Sequence, residues 1–118
     1  MKNLKTVLLL TLFTTLALIS CKKPEVPDNT PRCIIKKINK EKDNDCLKTV
    51  YACDYNNKTV YFFMYPCPEG CYALVDKDCN TLKDTNGNSI CSCHFGGAFC
   101  SDDFSKNKTN ERLIWQAE

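Results

Sequence analysis

The chain has 118 residues, of which ten are cysteine, and 25% of its side chains are charged and 43% hydrophobic. This length allows one domain, and this balance excludes a wholly disordered chain. Of the 16 basic residues, Lys2 and Lys5 lie in a segment that we expect to be removed. The mature chain is then close to neutral, which excludes a basic surface built for nucleic acid.

The first twenty residues have the pattern of an export signal. Lys2 and Lys5 precede an uncharged run at 7–19, which is too short for a comfortable membrane span. The run ends in Leu-Ile-Ser-Cys at 18–21, and this order resembles the lipobox of bacterial lipoproteins. The resemblance implies cleavage before Cys21 and a lipid with acyl chains such as palmitate on its thiol. The alternative is an ordinary signal peptide or a single-span anchor in which Cys21 is incidental.

A lipid on Cys21 would hold the protein on a membrane, because each buried methylene contributes about 0.8 kcal/mol. Position 22 is Lys rather than the Asp that retains many such lipoproteins on the inner membrane, so we expect the outer membrane of the cell envelope. We therefore expect a signal peptide at 1–20, the lipidated cysteine with a proline-rich tether at 21–30, and a cysteine-rich globular domain at 31–118.

The first predicted element of the domain is a short amphipathic helix over 31–41. Thr30 has the chemistry of an N-cap, and Pro31 suits the first helical position. Isoleucines then recur on one face with lysines around the rest. Cys33, near the start of this helix, is placed to tether it to a sheet.

Two strands are predicted next, over 49–55 and 59–64, because their side chains alternate. Asn56-Asn57 between them predicts a two-residue hairpin turn, since asparagine tolerates positive φ. The neighbourhood of this hairpin is rich in aromatic side chains, namely Tyr51, Tyr55, Tyr61, Phe62, Phe63 and Tyr65. These rings would suit a binding platform, but cross-strand packing against the helix explains them with fewer assumptions.

The second half of the chain contains shorter signals. A third strand is predicted at 72–75, a hairpin turn at Asn86-Gly87 and an alternating strand at 89–93. The segment 102–110 is polar and expected to be exposed, and 112–116 is apolar enough to close the sheet as a last strand or to dock as a tail. The predicted fold class is α+β: a small antiparallel β-sheet with one short N-terminal helix, stapled by disulfides.

Cysteine content is the strongest structural signal in this domain. An exported chain meets an oxidising compartment, where cysteines pair. Because nine is odd, at least one cysteine stays free, pairs with another chain or was never under pressure to pair. Four bridges among nine cysteines allow on the order of a thousand pairings, so the connectivity cannot be assigned from sequence. The candidates are Cys33, Cys46, Cys53, Cys67, Cys71, Cys79, Cys91, Cys93 and Cys100.

Metal binding is the competing interpretation of the same residues. Cys91, Cys93 and His94 have ligand-like density, but two CxxC knuckles, the strong zinc signal, are missing. The segment that starts at Asp76 has the oxygen spacing of a calcium loop, but Thr81 stands where an EF-hand needs glycine. Turn chemistry explains its Asp and Asn side chains, so we expect no bound metal and no cofactor.

Several pieces of the domain, taken in order, resemble one group of small bacterial lipoprotein domains of unknown function. The resemblance covers about 33–115 and implies an exported, anchored α+β domain without any established catalytic residue. The matching pieces are Thr59-Val-Tyr-Phe-Phe, the segment from Val75 to Leu82, a Gly-Gly turn, Phe104 and Leu113-Ile-Trp115.

The sequence contains neither a G-x-S-x-G nucleophile motif nor a redox CxxC, so we expect no enzyme and no catalytic residue. We expect a lipid-anchored binding or structural module of the cell envelope, whose partners are the membrane and an unknown protein or envelope ligand. One alternative is a protease or hydrolase inhibitor that presents the loop 66–71 or the Asn86-Gly87 turn. The other is a thiolate metal-binding or redox protein.

Overall fold

A computed structural model describes residues 26–43, 46–67, 70–94 and 97–118, with backbone alone at 94, 97 and 98. In chain order the elements are α1 (Arg32–Glu41), β1 (Thr49–Tyr55), β2 (Lys58–Tyr65), β3 (Cys71–Val75), β4 (Cys91–His94), β5 (Gly97–Cys100), α2 (Asp102–Asn107) and β6 (Thr109–Gln116). The strands form a four-stranded sheet in the order β3-β2-β1-β6 and a separate β4–β5 hairpin, and every pairing in both is antiparallel. This confirms the predicted α+β class.

The N-terminal helix forms where the isoleucine pattern predicts it, with Ile34 and Ile38 buried. Its start differs from the prediction by one residue. Pro31 occupies the N-cap position and its carbonyl accepts from the Ile35 backbone N–H at 3.1 Å, while no side chain caps the helix. The Thr30 side chain is buried instead, because the turn from Pro27 to Thr30 directs it into the protein.

The β1–β2 hairpin confirms the local turn prediction. Asn56 and Asn57 have φ of 50° and 62°, and Tyr55 pairs with Lys58 directly before and after them. Positive φ at both central residues is the geometry of a type I′ turn, whose twist matches that of the paired strands. The closing strand is also confirmed, since β6 pairs with β1.

The four-stranded sheet is packed on both faces. On what we call the helix face, α1 contributes to a buried cluster made of Ile34, Ile38, Leu47, Val50, Ala52, Tyr61, Phe63 and Val75. What we call the hairpin face carries a second cluster, to which α2 and the β4–β5 hairpin contribute, made of Cys53, Tyr55, Val60, Leu74, Ile90, Cys91 and Phe104. Five of the six aromatic residues of the β1–β2 hairpin are therefore divided between the two clusters, because successive side chains of a strand point to opposite faces. The sixth, Tyr51, is half-buried on the hairpin face, where it pairs with Phe62.

The polar segment after β5 contains a short helix, α2, that the sequence analysis missed. The Ser101 hydroxyl accepts from the Phe104 backbone N–H at 3.3 Å and caps it, and Asp102 and Asp103 occupy its first turn. Phe104 is the buried residue of this helix. A helix of one and a half turns with a single buried side chain has no periodicity to detect, so polarity alone suggested an exposed loop.

Four disulfides connect the elements: Cys33–Cys79, Cys46–Cys67, Cys71–Cys93 and Cys91–Cys100. The first ties α1 to the turn after β3, as the position of Cys33 suggested. The last two tie the β4–β5 hairpin to β3 and to itself. Cys53 is the free cysteine of the described part of the chain, and it is buried in β1.

Packing extends into the segment predicted as a tether. Val26 packs against the helix-face cluster, and Thr30 is 7% exposed. The predicted signal peptide at 1–20 and Cys21 lie outside the described residues. None of the helices among the described residues is long and apolar enough to cross a membrane.

Candidate ligand-binding recess

One part of the hairpin face is open and forms a recess of about 400 Å³. We call it the recess, and the residues that line it are Tyr51, Phe62, Met64, Tyr72, Cys100, Phe104, Ser105, Lys108 and Glu111. A volume of this size falls within the range of small-molecule sites, which is about 300–1,000 Å³.

Three neighbouring strands build the floor of the recess. Strand pairing places Tyr51 of β1 opposite Phe62 of β2, and Met64 of β2 opposite Tyr72 of β3. The Phe62 and Tyr72 rings lie 4.9 Å apart between centroids at an interplanar angle of 56°. All four side chains are half-buried, so the floor presents aromatic and thioether surface to solvent.

α2 and the start of β6 form the wall. Phe104 is buried at its base, whereas Ser105 is exposed at the rim. The Lys108 Nζ lies 5.6 Å from the Phe104 ring centroid and 6.0 Å from that of Phe62, within the range of a cation–π contact. Lys108 also forms an ion pair of 2.9 Å with Glu111, so the rim carries one charge of each sign.

The recess exists because the cover of the hairpin face is incomplete. α2 and the β4–β5 hairpin bury Cys53, Val60 and Leu74 on this face. Tyr51 and Met64, on the same face, are half-buried. Tyr51 and Phe62 belong to the aromatic set that the sequence presents near the β1–β2 hairpin. Met64, Tyr72 and the wall residues take their places in the recess only through contacts between segments that are distant in the chain.

A second recess, of about 710 Å³, lies beside the β1–β2 turn and has a polar lining. Its carboxylate, Asp54, and the adjacent Asp103, which contacts two lining residues without lining the recess, already accept hydrogen bonds from neighbours. Asp103 accepts hydrogen bonds from the Tyr55 hydroxyl and from Asn107 Nδ2, and Asp54 accepts from Asn110 Nδ2 at 3.1 Å. The hydrogen bond to Asp103 and, next, burial raise the pKa of Tyr55. These contacts attach α2 and β6 to the β1–β2 hairpin, so these side chains have a structural role.

The acidic turns also have a structural role. The Asp76 Oδ1 accepts from the backbone N–H of Asp78 and of Asn80, both at 2.9 Å, and Asp84 does the same one turn later. Burial tends to raise the pKa of Asp76, but these hydrogen bonds outweigh burial and lower it. This is the turn chemistry that the sequence analysis weighed against calcium. Among the described residues, no three His, Cys, Asp or Glu side chains converge as metal ligands would.

The cysteines proposed as metal or redox ligands are bonded elsewhere. Cys91 and Cys93 point to one side of β4, and each forms a disulfide with a different partner, so neither offers a thiolate in this structure. The free thiol, Cys53, is buried, and this burial raises its pKa. A buried thiol with a raised pKa is a poor nucleophile. The His94 side chain, the third proposed ligand, lies outside the described part of the structure.

The two loops proposed for an inhibitor are both in turns. Cys67 and Cys71, the ends of the first loop, are held by separate disulfides to Cys46 and Cys93, while residues 68 and 69 lie outside the described residues. Gly87 of the second loop has φ of 83° in an exposed turn.

Comparison with protein-family models gives one finding. The model described as a domain of unknown function (DUF6970) matches residues 36–117. Searches of curated proteins and of solved structures returned no significant match. Since the matched segment includes the six strands of the described residues and most of α1, the chain belongs to the DUF6970 family of domains of unknown function.

Proposed function

We propose that the protein is a lipid-anchored, non-enzymatic binding module of the bacterial cell envelope, and that the recess is its binding site. The observation that carries this proposal is an open aromatic recess on a small scaffold crossed by four disulfides. Contiguous aromatic surface that is open to solvent, here formed by Tyr51, Phe62 and Tyr72, is typical of binding surfaces.

The scaffold supports binding because it restricts motion around the recess. Cys100 lines the recess and is bonded to Cys91, while Cys71 precedes Tyr72 of the floor and is bonded to Cys93. A site that is rigid before binding loses little conformational entropy when the ligand arrives.

The chemistry of the lining supports binding rather than turnover. Glu111 is the carboxylate of the recess, and it is ion-paired with Lys108. Glycoside hydrolysis uses two carboxyl groups, and nucleophilic catalysis needs an activated group beside a base. The recess lining supplies neither arrangement.

Anchoring through Cys21 would orient the recess away from the membrane. Val26 packs against the helix-face cluster, so the chain enters the fold on the side of α1, whereas the recess lies on the hairpin face. Five residue steps separate Cys21 from Val26, and a fully extended chain spans at most about 3.6 Å per step. The anchor would therefore hold the helix face within about 18 Å of the lipid, which is closer than a tether of ten residues allows.

Lipidation is tested by mass spectrometry of the full chain exported from a bacterial host. We expect an N-terminal peptide that begins at Cys21 and carries the mass of a diacylglycerol, with or without a third acyl chain. The matched control is Cys21→Ala, which should stay unacylated. An unmodified Cys21 in the exported protein would refute the lipid anchor and leave the recess as a site on an otherwise exported domain.

Binding is tested by co-sedimentation of the mature chain, 21–118, with isolated cell-envelope fragments. The chain carries Cys21→Ala, so that no lipid holds it on the membranes of these fragments. Ser105→Trp should fill the recess from its exposed rim, and Tyr72→Ala should remove part of the floor. Phe99→Ala is the matched control, because Phe99 is 57% exposed and does not line the recess. We expect both recess variants to reduce the bound fraction at least tenfold. Equal binding by all variants would refute the recess as the site, and hydrolase activity that Glu111→Gln abolishes would refute the non-enzymatic role.

A further inference from the structure

We infer that the recess binds a neutral oligosaccharide, one ring of which packs on the Phe62 and Tyr72 side chains. This inference rests on the proposed function and names the chemical class of its ligand.

The floor suits the apolar face of a sugar ring. The Phe62 and Tyr72 rings are half-buried neighbours with centroids 4.9 Å apart and an interplanar angle of 56°, so one sugar ring can pack on the part of this pair that is open to solvent. The face of an aromatic ring carries negative potential, and it attracts the weakly positive C–H groups that cover one face of a pyranose. Met64 beside them adds an adaptable thioether.

The remaining lining residues supply hydrogen-bonding groups around this aromatic surface. Tyr51, Tyr72 and Ser105 carry hydroxyls, which both donate and accept hydrogen bonds, as sugar hydroxyls do. Lys108 adds donors, and Glu111 adds acceptors 2.9 Å away. An acyl chain would displace water from these groups and would offer no hydrogen bonds in its place. This desolvation cost disfavours a purely apolar ligand.

The charges of the recess favour a neutral ligand. Lys108 and Glu111 neutralise each other, so a bound carboxylate would compete with Glu111 for Lys108. A bound cation would be repelled by the Lys108 ammonium group, which lies over the Phe62 and Phe104 rings. A neutral polyol carries no charge for either group to repel, and it can hydrogen-bond to both while they stay paired.

Apolar surface continues beyond the floor of the recess, at Leu113. Leu113 of β6 pairs directly with Tyr51 and is 49% exposed, which makes it one of two large hydrophobic side chains exposed in the described part of the chain. Directly paired residues point to the same face of a sheet. A second sugar ring can therefore pack on Leu113 while the first occupies the recess, so we infer an oligosaccharide rather than a single sugar.

The experiment titrates the same unlipidated chain, with Cys21→Ala, by calorimetry with defined probes. The probes are neutral hexasaccharides of glucose, mannose, galactose and N-acetylglucosamine, an anionic hexamer of galacturonate, and phosphatidylcholine vesicles. We expect at least one neutral hexasaccharide to bind with a Kd below about 1 mM. Ser105→Trp and Tyr72→Ala should weaken this binding at least tenfold, Leu113→Ser should weaken it severalfold, and Phe99→Ala should leave it within twofold. Disulfide mapping of each variant establishes that it has folded.

The controls separate failure of this inference from failure of the proposed function. If Ser105→Trp abolishes envelope binding, but neutral hexasaccharides neither bind nor compete with the envelope, the binding module stands and the saccharide is refuted. Loss of envelope binding after protease treatment of the fragments would then identify a protein ligand. Binding of galacturonate or of vesicles alone would refute the neutral saccharide. Envelope binding that no recess variant alters would refute both proposals.

Discussion

Individual residues of this domain show where the fold departs from ideal local chemistry. Thr30 is 7% exposed, and its Oγ1 has no hydrogen-bond partner among the described residues. Cys53 is a buried free thiol in the core of the hairpin face. Asp76, by contrast, has its carboxylate fully engaged by a turn. These three positions behave differently under substitution and pH because burial and hydrogen bonding differ among them.

Replacing Thr30 with Val should stabilise the protein or leave its stability unchanged. The substitution keeps the volume but removes a buried hydroxyl that lacks a partner, and such a hydroxyl carries a desolvation penalty of about 1–3 kcal/mol. We expect the free energy of unfolding in urea to rise by up to about 1 kcal/mol. Thr30→Ser is the comparison, because it keeps the hydroxyl and loses a methyl group. A loss of more than about 1 kcal/mol in Thr30→Val would show that the hydroxyl has a partner in solution.

The Cys53 thiol should be unreactive in the folded protein. Burial raises its pKa, and both the low thiolate fraction and the lack of access slow alkylation. Iodoacetamide at pH 8 should leave Cys53 unmodified until denaturant unfolds the chain, and peptide mass spectrometry should then find one alkyl group on it. The variant Cys53→Ala should take up none and keep four bridges. Rapid native labelling of Cys53 would contradict its burial.

Asp76 should contribute stability that is lost in acid. Its pKa in the folded protein is lowered, so its contribution is present above its ordinary value of 3.8 and disappears as pH falls through the folded value. Asp76→Ala should destabilise the protein by about 1 kcal/mol at neutral pH, because hydrogen bonds to a half-exposed carboxylate are worth little more. The difference between wild type and variant should shrink below pH 3.8, with exposed Asp78→Ala as the control. A difference that persists unchanged to pH 2 would refute the role of the charge.

At the scale of elements, disulfides perform two distinct tasks. Cys33–Cys79 spans 46 positions and connects α1 on one face with the turn after β3. Cys91–Cys100 spans 9 positions and closes the β4–β5 hairpin on itself. The longer bridge restricts the unfolded chain more, whereas the shorter one shapes the segment that lines part of the recess.

Removing the long bridge should therefore destabilise the fold more than removing the short one. Chain-entropy arguments give about 4.0 kcal/mol for Cys33→Ser/Cys79→Ser and about 2.6 kcal/mol for Cys91→Ser/Cys100→Ser. Urea unfolding of both double variants checks the order. The short-bridge variant should in addition lose ligand affinity, because Cys100 lines the recess. A larger loss of stability for the short bridge would show that it stabilises the native packing directly.

At the scale of the whole molecule, α2 and the β4–β5 hairpin give the four-stranded sheet a second core, on the face opposite α1. Phe104 is 2% exposed and contacts Tyr55 with ring centroids 5.2 Å apart in a T-shaped arrangement. It is also part of the recess. The same residue therefore joins α2 to the sheet and forms one wall of the candidate site, so stability and binding are coupled through it.

Phe104→Ala should weaken both properties. Truncation of a buried Phe costs about 3–5 kcal/mol, a large part of the 5–15 kcal/mol that stabilises a typical domain. Phe104→Leu, which keeps most of the volume, should recover the larger part of this stability and thereby allow binding to be measured. Phe99→Ala, at an exposed position, should change stability by less than about 0.5 kcal/mol. A small effect of Phe104→Ala would contradict the packing of α2 on the sheet.

Local chemistry made the first half of the fold predictable from the sequence. The isoleucine spacing of α1, the Asn56-Asn57 turn and the alternation of β1 and β2 depend on residues close in sequence, and each is confirmed. The odd number of cysteines likewise implied an unpaired one. The lipobox pattern at 18–21 is equally local. The lipid on Cys21 stays a prediction, which mass spectrometry of the exported chain tests.

Only the tertiary structure decided which cysteines pair, which face each aromatic residue occupies and where the sheet is left uncovered. These features depend on contacts between segments far apart in the chain, such as Cys33 with Cys79 and β1 with β6. α2 stayed hidden for the same reason, because its single buried residue, Phe104, acquires its role from a sheet that is formed elsewhere. The sequence by itself determined the local elements and the export pattern, whereas the recess arises from their assembly, which no short-range pattern encodes.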